Sequence, residues 1–191
     1  YAVQNPKGIE ELKPVKIGSI DQWLHIRGRN RNNPVLLYLH GGPAAGGSWI
    51  GIMDAIQRPW EDYFTVVQWN QRGTDTSYYP ANDETDPTVQ RLIDDAEEVT
   101  QYLRHHLNQD KLFVLGHSWG TVTGMHLVKR HPDWYHAYIG VAQVVNMVEG
   151  ERVLYERLLS HAREQKESEL LAKLEAIAPY PDPEYPEKSF I

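Results

Sequence analysis

The fold of this chain is decided by one stretch, LFVLGHSWG, which runs from Leu112 to Gly120. Its first residues belong to a short apolar run, Lys111–Leu115, whose length and composition are typical of a strand buried on both faces. From about Trp119 to Arg130 the pattern changes to that of a helix, which Pro132 ends. Ser118 is therefore predicted to lie in a sharp turn from a buried strand into a helix.

Ser118 is the centre of the pattern G-x-S-x-G, with Gly116 and Gly120 on either side. In a strand-to-helix turn this pattern raises the serine hydroxyl above the sheet in a strained backbone geometry. The glycines are needed because a Cβ at either position would collide with the neighbouring strand and helix. The pentapeptide alone arises by chance in roughly one chain in fifteen of this size, so an incidental turn is the alternative. Its placement favours a catalytic nucleophile at Ser118.

A second glycine-rich turn, His40-Gly41-Gly42-Pro43, directly follows the apolar run Val35–Leu39. A glycine pair at the end of a strand leaves backbone N–H groups approachable, as an oxyanion hole requires. We expect the N–H groups of Gly42 and Trp119 to hold the oxyanion, and His40 to be a structural hydrogen-bonding residue. An ordinary Gly-Pro turn is the alternative.

Short apolar runs alternate with a helical pattern along most of the chain. After an N-terminal hairpin, Val15–Ile17 and Gln22–Ile26, the predicted buried strands are Val35–Leu39, Phe64–Trp69, Lys111–Leu115 and Ala137–Val145. An amphipathic helix precedes the third strand, with Asp86 as its cap, Pro87 at its first position and an apolar stripe from Val89 to Leu103. This alternation predicts an α/β fold, a parallel sheet with helices on both faces.

The composition of the chain changes after Val145. Residues 149–177 are helical in pattern and rich in Glu, Lys and Arg, and the Pro-rich stretch Ala178–Pro186 is expected to be an exposed linker. We therefore divide the chain into a core, residues 1–146, and a second segment, residues 147–191.

Charge and composition exclude several classes of function. A net charge of -7 disfavours nucleic-acid binding, which needs a basic face. The chain has no cysteine, no histidine spacing typical of a metal site, and no glycine motif for a nucleotide, so neither metal nor cofactor is expected. No apolar run reaches the ~18 residues of a membrane span. The lack of cysteine fits the cytoplasm, and because the chain does not start with Met, a removed signal peptide would also allow the periplasm or secretion.

Three strings in this order, His40-Gly41-Gly42-Pro43, Asn70-Gln71-Arg72-Gly73 and Gly116-His117-Ser118-Trp119-Gly120, resemble the HGGPG, DQRG and GxSWG motifs of the proline iminopeptidase-like α/β-hydrolases. The resemblance covers roughly Val15 to Val145. It implies the α/β-hydrolase fold, a helical cap that begins near Glu149, and a Ser–Asp–His triad in that order. Arg72 is the supporting residue of the second motif. His40 and Gly41 have that role in the first motif, and Gly116 and Gly120 have it in the third.

The chain departs from these motifs at Ala44 and Asn70, where the family has glycine and aspartate, and in residues 74–77, which lack a second glycine. The departures weaken the peptidase assignment more than the hydrolase assignment. We expect a serine hydrolase that forms an acyl-enzyme, most simply an aminopeptidase of the proline iminopeptidase kind acting on a short peptide. A small-molecule carboxylesterase or lactonase, and a hydrolase-fold binding protein without catalysis, remain as alternatives.

The resemblance implies an acid and a base on later strands, and none of the histidines after Ser118 suits the role of base. His126 lies within the helix after the turn, His131 and His136 flank the far end of that helix, and His161 lies in the second segment. We therefore expect the catalytic aspartate and histidine on further strands, supplied by a second polypeptide that packs against Ala137–Val145.

Overall fold

The computed structural model describes residues 3–42, 55–78 and 88–182. Its central feature is a six-stranded sheet in the order β1-β2-β4-β3-β5-β6. The strands are β1 (Ile9–Ile17), β2 (Ile20–Gly28), β3 (Val35–Leu39), β4 (Thr65–Trp69), β5 (Leu112–His117) and β6 (Tyr135–Val141). The hairpin β1–β2 and the pair β2–β4 are antiparallel, and the other neighbours are parallel. The predicted mostly parallel α/β sheet is confirmed, with a hairpin longer than the sequence indicated.

Four α-helices have both ends within the described residues: α1 (Val89–His106), α2 (Gly120–Arg130), α3 (Met147–Glu164) and α4 (Ser168–Ala176). Residues 55–57 are also helical. Helix α1 buries the apolar stripe that the sequence predicted, but its N-cap is Thr88, whose Oγ1 accepts a hydrogen bond from the Arg91 N–H at 3.1 Å. The cap predicted at Asp86 is therefore wrong, because the helix begins at Val89, and both Asp86 and Pro87 lie outside the described residues. A threonine directly before the helix satisfies an N–H of the first turn as well as an aspartate would.

The parallel strands are buried on both faces because their side chains alternate between two apolar clusters. On one face Leu37 and Leu39 pack with Trp69 and with α1. On the other face Leu36 and Tyr38 pack with Leu115, next to partly buried aromatic rings. This double burial accounts for the continuous apolar run in β3.

The predicted buried strand Ala137–Val145 differs from the structure in bounds and in burial. The strand runs from Tyr135 to Val141, and Ile139 and Val141 are 41% and 44% exposed. The reason is its position, since among the described strands β6 is the last in the order and has β5 as its one neighbour. An apolar sequence shows that a strand suits burial, but it does not show which neighbours cover it.

Residues 144–191 form a separate compact unit, whose division from residues 1–143 falls near the predicted boundary at residue 146. Its described part contains α3 and α4, which together account for the helical pattern predicted for residues 149–177. Tyr155, Ala162 and Leu174 form its small core, in which the Tyr155 hydroxyl donates to the Leu174 carbonyl at 2.9 Å. The end of the Pro-rich stretch, from residue 183, lies outside the described residues. In the ranges that are described, no helix is both long and apolar enough to cross a membrane.

Candidate active site

Ser118 lies in the turn between β5 and α2 with a φ of +51°, in the left-handed region that non-glycine residues seldom adopt. Hydrogen bonds fix this conformation on both sides of the residue. The Ser118 N–H donates to the Val141 carbonyl at 2.9 Å, and the Ser118 carbonyl accepts from the Thr121 N–H at 2.9 Å and from Thr121 Oγ1 at 2.6 Å. The strain of a positive φ is thus held by the surrounding structure, as is common at functional sites.

The glycines on either side of Ser118 allow strand and helix to approach closely. A Cβ at Gly116 would lie 2.6 Å from the Gly120 carbonyl oxygen, and a Cβ at Gly120 would lie 2.1 Å from the Leu39 carbonyl oxygen. Both distances fall well below ordinary contact and involve main-chain atoms, which cannot swing away. Without a side chain at these positions, the end of β3 can lie directly against the start of α2.

This close approach brings the loop after β3 beside Ser118. A Cβ at Gly41 would lie 3.1 Å from the Ser118 Cβ and 3.3 Å from His117 Nδ1. Gly42 follows with a φ of +134°, which a residue with a side chain rarely adopts. The N–H groups of Gly42 and Trp119 make no hydrogen bond with any residue in the described ranges. Pro43 and Ala44, the rest of the motif, lie outside those ranges.

His40 is held in this loop through both ring nitrogens. Its Nδ1–H donates to the Gly41 carbonyl at 2.8 Å, and its Nε2 faces the Gln71 N–H at 3.5 Å. These partners require the neutral ring with its proton on Nδ1. Burial lowers the pKa of His40, and the hydrogen bond to Gly41 opposes that shift only in part. These contacts hold the His40 ring in one orientation, and its structural role stays a prediction.

Arg72 is only 1% exposed and forms a two-point contact with the fully buried carboxylate of Asp95 in α1. Its Nε and Nη2 donate to the two carboxylate oxygens at 2.7 and 3.1 Å, and Nη2 also donates to the Gly18 carbonyl at 2.7 Å. Gln22 and Arg91 complete the hydrogen bonds to Asp95, each at 2.8 Å. Arg72 therefore fixes the loop after β4 to the hairpin and to α1.

The sequence did not single out Asp95, Gln22 or Gln71. Their roles depend on contacts between segments far apart in the chain, which no local pattern indicates. A signal did exist for Gln71, since it lies next to Arg72 in a string that was recognised as a motif.

The histidines that follow Ser118 have other surroundings. His131 contacts Glu97 at 2.8 Å, and the His136 ring packs against Phe113. Both lie at the start of β6, beside Leu112 at the start of β5. Ser118 follows the other end of β5, and at a rise of about 3.3 Å per residue the two ends of this strand are about 20 Å apart. His126 and His161 are exposed. Within the described ranges, no histidine forms a hydrogen bond with Ser118 Oγ.

The glutamates of α3 lie at the start of the segment that was expected to form a helical cap. Glu149 and Glu156 both pair with Arg152 on an exposed face, and Glu151 accepts a hydrogen bond from the Tyr180 hydroxyl at 2.7 Å. The two ion pairs are those of a solvated helix surface.

The model of the alpha/beta hydrolase fold family matches residues 34–164. A probable aminopeptidase of Bacillus subtilis (strain 168), YbaC, is 39% identical over 166 residues, which are 87% of this chain and 50% of that protein. A proline iminopeptidase of Elizabethkingia meningoseptica is 29% identical over 179 residues, 91% of this chain and 56% of that protein. The chain thus spans about half the length of these curated relatives.

Solved structures show the same fold at lower identity. The crystal structure of VinJ superposes with a TM-score of 0.60 at 19% identity, covering 90% of this chain and 64% of that one. A 2-hydroxy-6-oxo-6-phenylhexa-2,4-dienoate hydrolase from Rhodococcus sp. strain RHA1 superposes with a TM-score of 0.55 at 23% identity, covering 70% of this chain and 45% of that one. The family model matches more than half of this chain, and the two curated relatives are a probable aminopeptidase and a proline iminopeptidase. The chain therefore belongs to the α/β-hydrolase family, as a member similar to the proline iminopeptidases.

Proposed function

We propose that this protein is a serine hydrolase in which Ser118 attacks an acyl carbon. The observation that carries the proposal is the turn at Ser118, whose positive φ is fixed by hydrogen bonds and whose Cβ lies against Gly41. A strained serine between a strand and a helix N-terminus, beside a glycine loop with approachable N–H groups, has the geometry of a nucleophile with its oxyanion hole.

The reaction follows from the groups that surround Ser118. Oγ forms a bond to the acyl carbon while its proton passes to a general base, and the former carbonyl oxygen becomes an oxyanion. The N–H groups of Gly42 and Trp119 are the donors proposed to bind that oxyanion. Collapse expels the amine or alcohol, which takes the proton from the base, and water then releases the acyl group by the same steps in reverse.

We propose the N-terminal residue of a short peptide, proline foremost, as the acyl group. The support is the naming of two curated relatives as a probable aminopeptidase and a proline iminopeptidase. A short ester is the second candidate. It is favoured by the departures at Ala44 and Asn70 from the motifs of the proline iminopeptidase-like family.

We further propose that the acid and base come from polypeptide that packs against β6 and is not part of residues 1–191. Support comes from the exposed apolar face of β6 and from the distance between Ser118 and the two histidines at the start of that strand. The second polypeptide would add parallel strands beside β6, so that their carboxyl ends lie next to Ser118.

Labelling with a fluorophosphonate tests the nucleophile in the full-length protein, by which we mean residues 1–191 together with the polypeptide proposed to pack against β6. We expect the adduct on Ser118, and we expect Ser118→Ala to abolish labelling and to lower hydrolysis by more than about 100-fold with an unchanged circular dichroism spectrum. An unlabelled Ser118 in the folded protein would support a non-catalytic binding protein. Rates on proline-amide and short-ester chromogens then separate peptidase from esterase.

A further inference from the structure

We infer that Gln71 is a positioning residue for the oxyanion loop, His40–Gly42, an inference that rests on the proposed function. Gln71 follows β4 and is 2% exposed. Its side-chain Nε2 donates to the His40 carbonyl at 3.3 Å, and its main-chain N–H faces His40 Nε2 at 3.5 Å. One buried residue thus contacts both the backbone and the ring of the residue that starts the loop.

The contacts of His40 pass this restraint to the proposed oxyanion donor. His40 Nδ1–H holds the Gly41 carbonyl at 2.8 Å. That carbonyl belongs to the same planar peptide unit as the Gly42 N–H, and in a trans peptide the two groups point in opposite directions. Fixing the Gly41 oxygen therefore fixes the direction of the Gly42 N–H.

The His40 carbonyl itself lies between Gln71 and the helix of the nucleophile. A Cβ at Gly120 would lie 2.8 Å from the His40 oxygen, so this carbonyl already lies against the start of α2. The amide of Gln71 hydrogen-bonds to the same oxygen. The contact sets the position of the loop relative to Ser118, because it acts where the loop meets α2.

Gln71 is in turn held firmly enough to serve as an anchor. Its carbonyl accepts hydrogen bonds from Thr74 Oγ1 at 2.7 Å and from the Thr74 N–H at 3.0 Å. The next residue, Arg72, is fixed by Asp95. A movable glutamine would orient nothing, whereas this one joins the oxyanion loop to α1 through a short series of buried contacts.

Replacing Gln71 with Met tests the inference in the full-length protein, because Met keeps the length of the side chain and removes its N–H donor. We expect kcat to fall about 10- to 100-fold, as expected for a misplaced donor, with KM changed by less than about threefold. Gln57→Met is the matched control, since Gln57 is also 2% exposed but its side-chain oxygen accepts a hydrogen bond from Gln68 Nε2 at 2.9 Å and contacts neither His40 nor Asp95. It should lower the melting temperature and leave kcat nearly unchanged.

Hydrogen exchange of residues 38–42 gives a measurement that does not depend on activity. Gln71→Met should speed exchange of the loop amides, and Gln57→Met should not. If Gln71→Met does not fold, Thr74→Val serves in its place, and Thr74→Ser, which keeps the hydroxyl, should restore kcat. Failure of the unaltered protein to label at Ser118 would refute the proposed function. A normal kcat or unchanged loop exchange in Gln71→Met, or an equal loss of kcat in Gln57→Met, would refute the positioning role.

Discussion

At the scale of single residues, the site combines a serine in a strained backbone conformation with glycines that leave no room for a side chain. Ser118 keeps a positive φ at a cost of about 1–3 kcal/mol, and the hydrogen bonds to Thr121 and Val141 offset that cost. Gly120 makes the arrangement feasible, because it lets α2 start against the carbonyl of Leu39. The strained turn at Ser118 and the close packing at Gly120 therefore occur together in the same strand-to-helix connection.

Gly120→Ala should disrupt this arrangement. Its Cβ would lie 2.1 Å from the Leu39 oxygen, a main-chain atom within the sheet, so β3 or α2 must shift. We expect a large fall in melting temperature and loss of fluorophosphonate labelling. Gly150→Ala is the control, since a Cβ there meets nothing within 4 Å in α3, and it should stabilise that helix by about 0.5–1 kcal/mol. A Gly120→Ala protein with unchanged melting and labelling would contradict the close packing described above.

His40 should make the protein less stable as the pH falls. Burial lowers the pKa of His40 in the folded state, while the unfolded chain keeps a value near ~6.5. The unfolded state therefore binds more protons in the window from about pH 6.5 down to the folded pKa. The contribution of His40 is complete above that window and is lost as the pH falls through it. Urea unfolding of the unaltered protein and of His40→Gln at several pH values measures it, and an equal pH dependence of the two would contradict the assignment.

At the scale of elements, the buried pair Arg72–Asp95 joins the loop after β4 to α1 and to the hairpin. Because Asp95 is 0% exposed, removing Arg72 leaves its carboxylate in the interior with only Gln22 and the partly exposed Arg91 as partners. We expect Arg72→Met to cost about 3 kcal/mol of unfolding free energy, the lower end of the cost of an unpaired buried charge, and Arg72→Met with Asp95→Leu to recover part of that loss. Arg152→Met, which breaks two exposed ion pairs in α3, should leave the melting temperature unchanged within error. Equal effects of the two single substitutions would show that the buried network is dispensable.

Prediction from sequence succeeded where local pattern determines structure. The apolar run Val35–Leu39 became β3 with the expected bounds, and the turn after β5 lies where the glycines required it. Prediction failed for the cap of α1, where Thr88 and Asp86 are both good caps and only the structure selects between them. Gln71 and Asp95 act through contacts set by the order of the strands, which periodicity does not encode.

At the scale of the whole molecule, the two edges of the sheet differ in a way that bears on the second polypeptide. The edge strand β1 contains four charged side chains and Pro14, and all of its residues between Ile9 and Ile17 are exposed or only partly buried. Charges and proline are the usual means of preventing an edge from pairing with another strand. The opposite edge, β6, has the sequence YHAYIGV, with no Asp, Glu, Lys or Arg. Of the two edges, β1 is therefore protected and β6 is suited to a neighbour.

Hydrogen exchange in the full-length protein tests this difference directly. If a further strand pairs with β6, the amides of residues 137–141 should exchange as slowly as those of β5, because both strands then lie inside the sheet. Residues of β1 with solvent-facing amides provide the internal control and should exchange faster. Ile139→Asp should weaken the binding of the second polypeptide and lower labelling of Ser118, since it places a charge on a surface that becomes buried. Leu12→Asp, at an exposed position of β1, should do neither. Rapid exchange along β6, or full labelling of Ile139→Asp, would show that β6 is a free edge and that the catalytic base must be sought elsewhere.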